Sequence, residues 1–191
     1  MSLGPREQSH EHAEALVRAG MLEEAIGLYR DLQAQDWRDL RALTALRELF
    51  ERMERLPELA EQLSILARNR LESGQLEEAV EAMQKAVELD RRRPGLHLRL
   101  ALVLLRAGRV EEARYSFYEA AYRSLRAGRE QDARRILARS LQACGHPYAA
   151  VKRLVDAERR GEPLDEGERR HLYRCLGWPA DGSSRGRRTI H

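Results

Sequence analysis

The stretch Ala107-Gly108-Arg109-Val110-Glu111-Glu112-Ala113 returns without gaps as Ala19-Gly20-Met21-Leu22-Glu23-Glu24-Ala25, as Ser73-Gly74-Gln75-Leu76-Glu77-Glu78-Ala79 and as Ala127-Gly128-Arg129-Glu130-Gln131-Asp132-Ala133. Each copy reads as the junction of two helices. Glycine permits the left-handed backbone that ends a helix, the acidic pair favours the positive N-terminal end of the next, and the alanine lets two helices approach closely. Four copies make an internal repeat.

Outward from these junctions, apolar residues keep a 3.6-residue period punctuated by glycine or proline. The pattern predicts about ten helices, near 9–19, 21–35, 38–53, 57–73, 75–90, 95–107, 109–127, 129–144, 147–160 and 164–176. Leu, Ala, Glu and Arg dominate, and aromatic residues make up only 5% of the 191 positions. That mixture forms helix well and strand poorly. A hydrophobic fraction of 42% is enough for a continuous core. The expected fold class is all-α, with short connections forcing sequential helices to pack antiparallel into a solenoid of helix pairs.

Within this pattern the chain resembles the tetratricopeptide repeat, whose helix pairs recur every 34 residues with small residues at the crossings. Gly74 and Gly108 are 34 apart. Ala79, Met83 and Ala86 follow Gly74, and Ala113, Phe117 and Ala120 follow Gly108, at the family's small, bulky and small positions. Leu66-Ala67 and Leu100-Ala101 match before the turn. After Gly20, Ala25 and Tyr29 fit but Leu32 replaces the small residue, and after Gly128, Ala133, Leu137 and Ser140 fit loosely. Leu63 and His97 stand where the family places tryptophan, and Arg91 where it places proline. The glycine spacings of 54, 34 and 20 are irregular for a 34-residue array, which slips phase twice if every copy marks the same kind of turn. Four segments are expected: a disordered tail over 1–8, the repeat array over 9–145, capping helices over 146–176 and a disordered basic tail over 177–191.

The net charge is +3, but Arg185, Arg187 and Arg188 sit in the tail and leave the body nearly neutral. A broad face for a phosphate backbone is therefore not expected. Lys85 and Lys152 are the only lysines, an arginine bias that reads as a GC-rich, bacterial genome. The longest apolar run, Leu100 to Leu105, is far below the roughly 20 residues that span a bilayer. With no positively charged start and apolar stretch over Met1 to Gly20, the expected location is cytoplasmic. Cys144 and Cys175 form no CxxC and are read as reduced thiols. His10, His12, His97, His146, His171 and His191 show no metal spacing. No nucleophile elbow, phosphate-cradling loop or dinucleotide fingerprint is present. Catalytic residues, cofactor and metal are each expected to be none.

Partner-binding candidates fall in two places. Tyr115, Tyr118 and Tyr122 share one helix face by their spacing, distinct from the core face of Phe117, Ala120, Ala121 and Leu125. That stripe reads either as a docking surface or as packing against a neighbouring helix. The resemblance also implies that the first helix of each pair lines a groove, with Ser64, Arg68 and Leu71 on one such helix and Leu98, Leu102 and Leu105 on the next. Arg68 with Arg99 offers two guanidinium groups to a peptide carboxylate, although the family's lysine and asparagine clamp is echoed only by Asn69. Arg91-Arg92-Arg93 before Pro94 reads as a helix end, its cations suited to the negative terminus. The expected function is an adaptor or scaffold holding a peptide or helix of another protein. The alternatives are a nucleic-acid-linked regulator using the arginine-rich surface and a self-associating structural component.

Overall fold

The computed structural model describes residues 4–144, 148–162 and 164–170. Within them lie nine helices: α1 (Pro5–Arg18), α2 (Leu22–Gln35), α3 (Leu40–Arg52), α4 (Leu56–Glu72), α5 (Leu76–Leu89), α6 (Pro94–Arg106), α7 (Val110–Arg126), α8 (Glu130–Cys144) and α9 (Tyr148–Arg160). Residues 166–170 are also helical, and no strand occurs among the described residues. The fold is all-helical, with consecutive helices packed on one another within each of two compact units, Met1–Leu89 and Asp90–His191.

All four repeat glycines adopt the left-handed backbone, with φ between 74° and 79°, so none of the four junctions is a coincidence. A Cβ at Gly20, Gly74 or Gly108 would meet open space, which leaves the positive φ as the reason for glycine there. Among the described residues, two more share this conformation, Gly161 and the non-glycine Glu54 at φ 54°. The amide after each turn residue reaches back to a carbonyl of the last helical turn: Met21 to Leu16 at 2.9 Å, Arg55 to Phe50 at 2.8 Å, Gln75 to Arg70 at 2.9 Å, Arg109 to Leu104 at 2.9 Å and Arg129 to Ser124 at 2.8 Å. These are Schellman closures, which satisfy carbonyls that the helix end leaves open.

With Glu54 counted, the left-handed turns at 20, 54, 74, 108 and 128 alternate steps of 34 and 20. The irregular glycine spacing thus resolves into a period of 54 residues containing three helices. Helix bounds repeat at that offset: α2 matches α5, α3 matches α6 and then α9, and α4 matches α7, residue for residue. Grouped as α3–α4–α5 and α6–α7–α8, each triple has a middle helix, α4 or α7, that packs on both of its partners. It is 17 residues long in both cases, against 13 to 15 for its partners. Both phase slips expected from the sequence fall on these shared helices.

The first unit centres on Ile26, Tyr29, Leu43, Leu46, Phe50 and Met83, with fully buried Ala60, Ala67, Ala79 and Ala86 at close crossings. Its first helix begins at Pro5, earlier than expected. Proline at the first helical position and Glu7 in the first turn favour that start, and Arg6 is fixed by Asp39 at 2.7 Å and Asp36 at 3.1 Å. Residues 5–8 are therefore helix and not tail. Asp39 caps α3 by accepting from the Ala42 amide at 3.0 Å, and it lies 2.8 Å from His10 Nε2. Burial would raise the Asp39 carboxyl, but the Ala42 amide, Arg6 and His10 together hold it below the ordinary carboxylate range.

The second unit packs α6, α8 and α9 around α7. Its core joins Ala101, Phe117, Tyr118, Ala120, Ala121, Tyr122, Leu125, Ala133, Ile136, Leu137 and Val155. The tail expected over 177–191 and the end of the last capping helix lie outside the described residues.

Replacing Glu54 by glycine removes a Cβ from a left-handed residue and is expected to stabilise the protein by about 1 kcal/mol. A rise in thermal midpoint over the parent measures it, and a fall would show that the Glu54 side chain contributes more than the backbone strain costs. Ala79→Leu and Ala113→Leu, each overpacking a fully buried crossing, should each cost about 1 to 3 kcal/mol in a denaturant melt.

Candidate functional site

The structure separates the sequence-predicted candidates sharply. Tyr118 and Tyr122 are 2% and 1% exposed and belong to the second unit's core, and Tyr115 is half-buried against the same cluster. Packing, not docking, is the role the structure gives this stripe. The reason is the position of α7 as the shared middle helix. A helix with a neighbour on one side keeps a free face, whereas α7 has α6, α8 and α9 around it and buries ten residues between Ala113 and Leu125.

The same logic removes Ser64 from the surface, since α4 is the shared helix of the first unit and Ser64 is buried beside Gln62 and Leu63. Leu71 is half-buried. Arg68 is exposed but engaged: its guanidinium lies 3.8 Å from the centre of the Trp37 ring, and its Nε is 3.3 Å from Glu72. Arg38 also pairs with Glu72, at 2.8 Å. Arg68 is in the first unit and Arg99 in the second.

What remains at the surface is α6. Large hydrophobic side chains are exposed at Met21, Leu40, Leu56, Val110, Leu102 and Leu105. The first four stand at the cap or first residue of a helix, where the chain enters from a turn. Among the described residues, only Leu102 and Leu105, 39% and 41% exposed, are large exposed hydrophobics beyond the first turn of a helix. With half-buried Leu98 they follow the spacing of a single helix face. Arg99 and Arg106 are exposed beside them, and α6 contains no acidic residue.

Leu98 also lines a cleft of about 260 Å³ bounded by Pro94 and Gly95 at the start of α6, Ser124 near the end of α7, Arg129 just before α8, and Asp132, Arg135, Ile136 and Arg139 along α8. The α8 residues recur at helical spacing and so share one face. Arg129, Arg135 and Arg139 are exposed, Ile136 and Ser124 buried. Asp132 is the one acidic residue among those lining the cleft, and its carboxylate is 3.9 Å from Arg135. The cleft and leucines together form an apolar strip with a cationic end.

Sequence reading singled out Leu98, Arg99 and Leu102 but passed over Arg129, Arg135, Ile136 and Arg139. The signal was available as a one-face spacing in the predicted helix at 129–144, masked by the abundance of arginine. The triplet Arg91-Arg92-Arg93 lies in the turn after α5, which ends at Leu89, so it does not finish that helix. This turn is pinned by buried His97, whose Nε2 lies 2.8 Å from the Arg91 carbonyl.

A family model described as tetratricopeptide repeat matches residues 66–128, from the second half of α4 through the turn after α7. The chain is tetratricopeptide-like. The matched segment contains α6 with all three surface leucines, as well as the two best repeat copies. Solved structures similar to the chain include the following two. The translocator chaperone SycD of the Yersinia enterocolitica type III secretion system, crystallised as an alternative dimer, is 16% identical, with 83% of this chain and 96% of that chain covered and a TM-score of 0.33. A thermophilic tetratricopeptide protein of Thermus thermophilus is 19% identical, with 80% and 97% covered and a TM-score of 0.28. No curated protein matches the chain. Among the described residues, no group of three or more His, Cys, Asp or Glu side chains is placed to hold a metal, and no helix is long and apolar enough to cross a membrane.

Burial pushes the His97 imidazole down to about 4 from 6.5; the Arg91 carbonyl opposes this and nearby Arg123 adds to it. Unfolded protein binds that proton near pH 6.5 while folded protein resists it, so stability present above pH 6.5 is lost as the pH falls toward 4. The loss attributable to His97 is about 3 kcal/mol at most. Denaturant melts of the parent and of His97→Gln across this window should show a shallower pH slope in the variant; equal slopes would mean His97 carries none of it.

Proposed function

We propose that this protein is an adaptor that holds a segment of another protein on the exposed face of α6 and the adjoining cleft. The observation that carries the reading is the pair Leu102 and Leu105. Their equivalents one 54-residue period earlier, Glu48 and Glu51, are also exposed, and Leu98 corresponds to exposed Thr44. The repeat accepts polar side chains at all three places, so packing does not demand leucine there. Contiguous apolar surface on a helix, bordered by arginine, has the composition of a protein contact. The tetratricopeptide match over the same residues supports a binding role by analogy of fold. The array over 9–145, closed by helices over 146–176, is the proposed scaffold for this face. The arginines around the cleft keep a nucleic-acid role as the second reading, since phosphate contacts also call for guanidinium groups.

The test is recovery of partners from native cells by the parent and by the double variant Leu102→Glu, Leu105→Glu. Because Glu48 and Glu51 show that the fold accommodates glutamate at these positions, helix content should be unchanged. Partner affinity is expected to fall by about 2 kcal/mol or more if the leucines are central to the contact. Equal recovery and equal affinity in the variant would refute the assignment of this face.

A further inference from the structure

The chemistry of the strip narrows the kind of segment it fits, an inference that rests on the protein-holding reading above. Four observations bear on the charge of this strip. The start of α6 presents a helix N-terminus with no side-chain cap and no acidic residue in its first turn, leaving its positive end uncompensated by the helix itself. Three arginines, Arg129, Arg135 and Arg139, line the cleft against a single acid, Asp132. Arg99 and Arg106 border the leucines, and no acid interrupts α6. Finally, the cationic character is not repeat grammar. One period earlier the cleft-lining arginines correspond to Gln75, Glu81 and Lys85, and Asp132 to Glu78, so the same architecture carries a mixed, more acidic face in the first unit.

The length also fits. Leu98 to Leu105 spans about 10 Å of helix axis, two turns, which matches the spacing of anchors on one face of a partner helix. We infer that this surface receives an acidic, leucine-bearing amphipathic helix of a partner protein, its apolar face on Leu98, Leu102 and Leu105 and its carboxylates toward Arg129, Arg135 and Arg139. Guanidinium forks suit carboxylates through paired hydrogen bonds, and the open cleft leaves those guanidiniums reachable. Apolar contact supplies affinity, while the charges select the partner and speed its arrival.

The experiment uses the full chain and three fluorescent synthetic helices with identical leucine positions. Their flanking residues are Glu in the first, Gln in the second and Lys in the third. Anisotropy titrations should show the Glu helix binding about tenfold tighter than the Gln helix, with the Lys helix weakest. Raising salt should shrink the Glu-over-Gln preference in the parent, a readout that needs no variant. Arg135→Ala with Arg139→Ala should abolish most of that preference while leaving Gln-helix binding in place. Leu102→Glu with Leu105→Glu should weaken all three helices.

Equal binding of the Glu and Gln helices would overturn the acidic specificity, while the adaptor reading would stand if the leucine variant still weakened both. No binding of any helix, or binding indifferent to the leucine variant, would overturn both. Displacement of the Glu helix by duplex DNA at comparable concentration would reassign the arginines to nucleic acid. Salt-sensitive self-association without any helix, lost in the leucine variant, would make a second copy of this chain the occupant and overturn a foreign partner.

Discussion

A single residue with positive φ at the α1–α2, α3–α4, α4–α5, α6–α7 and α7–α8 junctions is the constraint on which this architecture depends. It reverses the chain within three or four residues, and the amide that follows it closes the helix end. Because the turn is so short, the distance between turns is set by helix length alone. Alternate steps of 34 and 20 then produce a three-helix period whose middle member packs on both sides. Burial is heaviest on α7, which buries ten residues between Ala113 and Leu125, and α4 buries seven between Leu59 and Asn69, while Leu102 and Leu105 of α6 stay exposed.

The sequence makes the turns legible because glycine is the usual residue for a left-handed backbone, and four of them were found by simple repetition. Glu54 was invisible for the complementary reason. An ordinary side chain held at φ 54° leaves no compositional trace, and missing it turned a regular 34 and 20 alternation into an apparent irregularity. The helices themselves, their number and their order were readable from periodicity. Their precise starts were not, as at Pro5, where the decisive ion pairs from Arg6 to Asp36 and Asp39 join residues 30 and 33 positions apart. Similar pairs join Arg41 to Glu7 and Arg38 to Glu72, each 34 apart. Exposed pairs of this kind contribute little singly, so they register the repeat more than they hold it.

Candidate contact residues were legible only in part. Periodicity says which residues share a face, but not how many neighbours that face will meet. The tyrosines of α7 illustrate the failure: spacing separated them from Phe117 and Leu125, and the structure buried both sets. The leucines of α6 are the contrasting case: Leu102 and Leu105 stay exposed, because an outer helix has a face to spare. Comparing positions one period apart adds a discriminator that neither periodicity nor composition offers. Where Glu48 and Glu51 give way to Leu102 and Leu105, both pairs are exposed, so burial does not account for the change.

A shared middle helix also constrains how such a chain can change length. In an array of separable pairs, a block of 34 residues can be duplicated or lost between any two turns and the flanking surfaces still meet. Here, excising 34 residues from the turn at Gly74 to that at Gly108 would join α4 directly to α7 and set two steps of 20 in succession, breaking the alternation. The smallest insertion or deletion that returns every helix to an equivalent setting is the 54-residue triple. Gain and loss in this lineage should therefore be counted in threes of helices, and a relative differing by a single pair would have to rebuild the apolar faces of its middle helix.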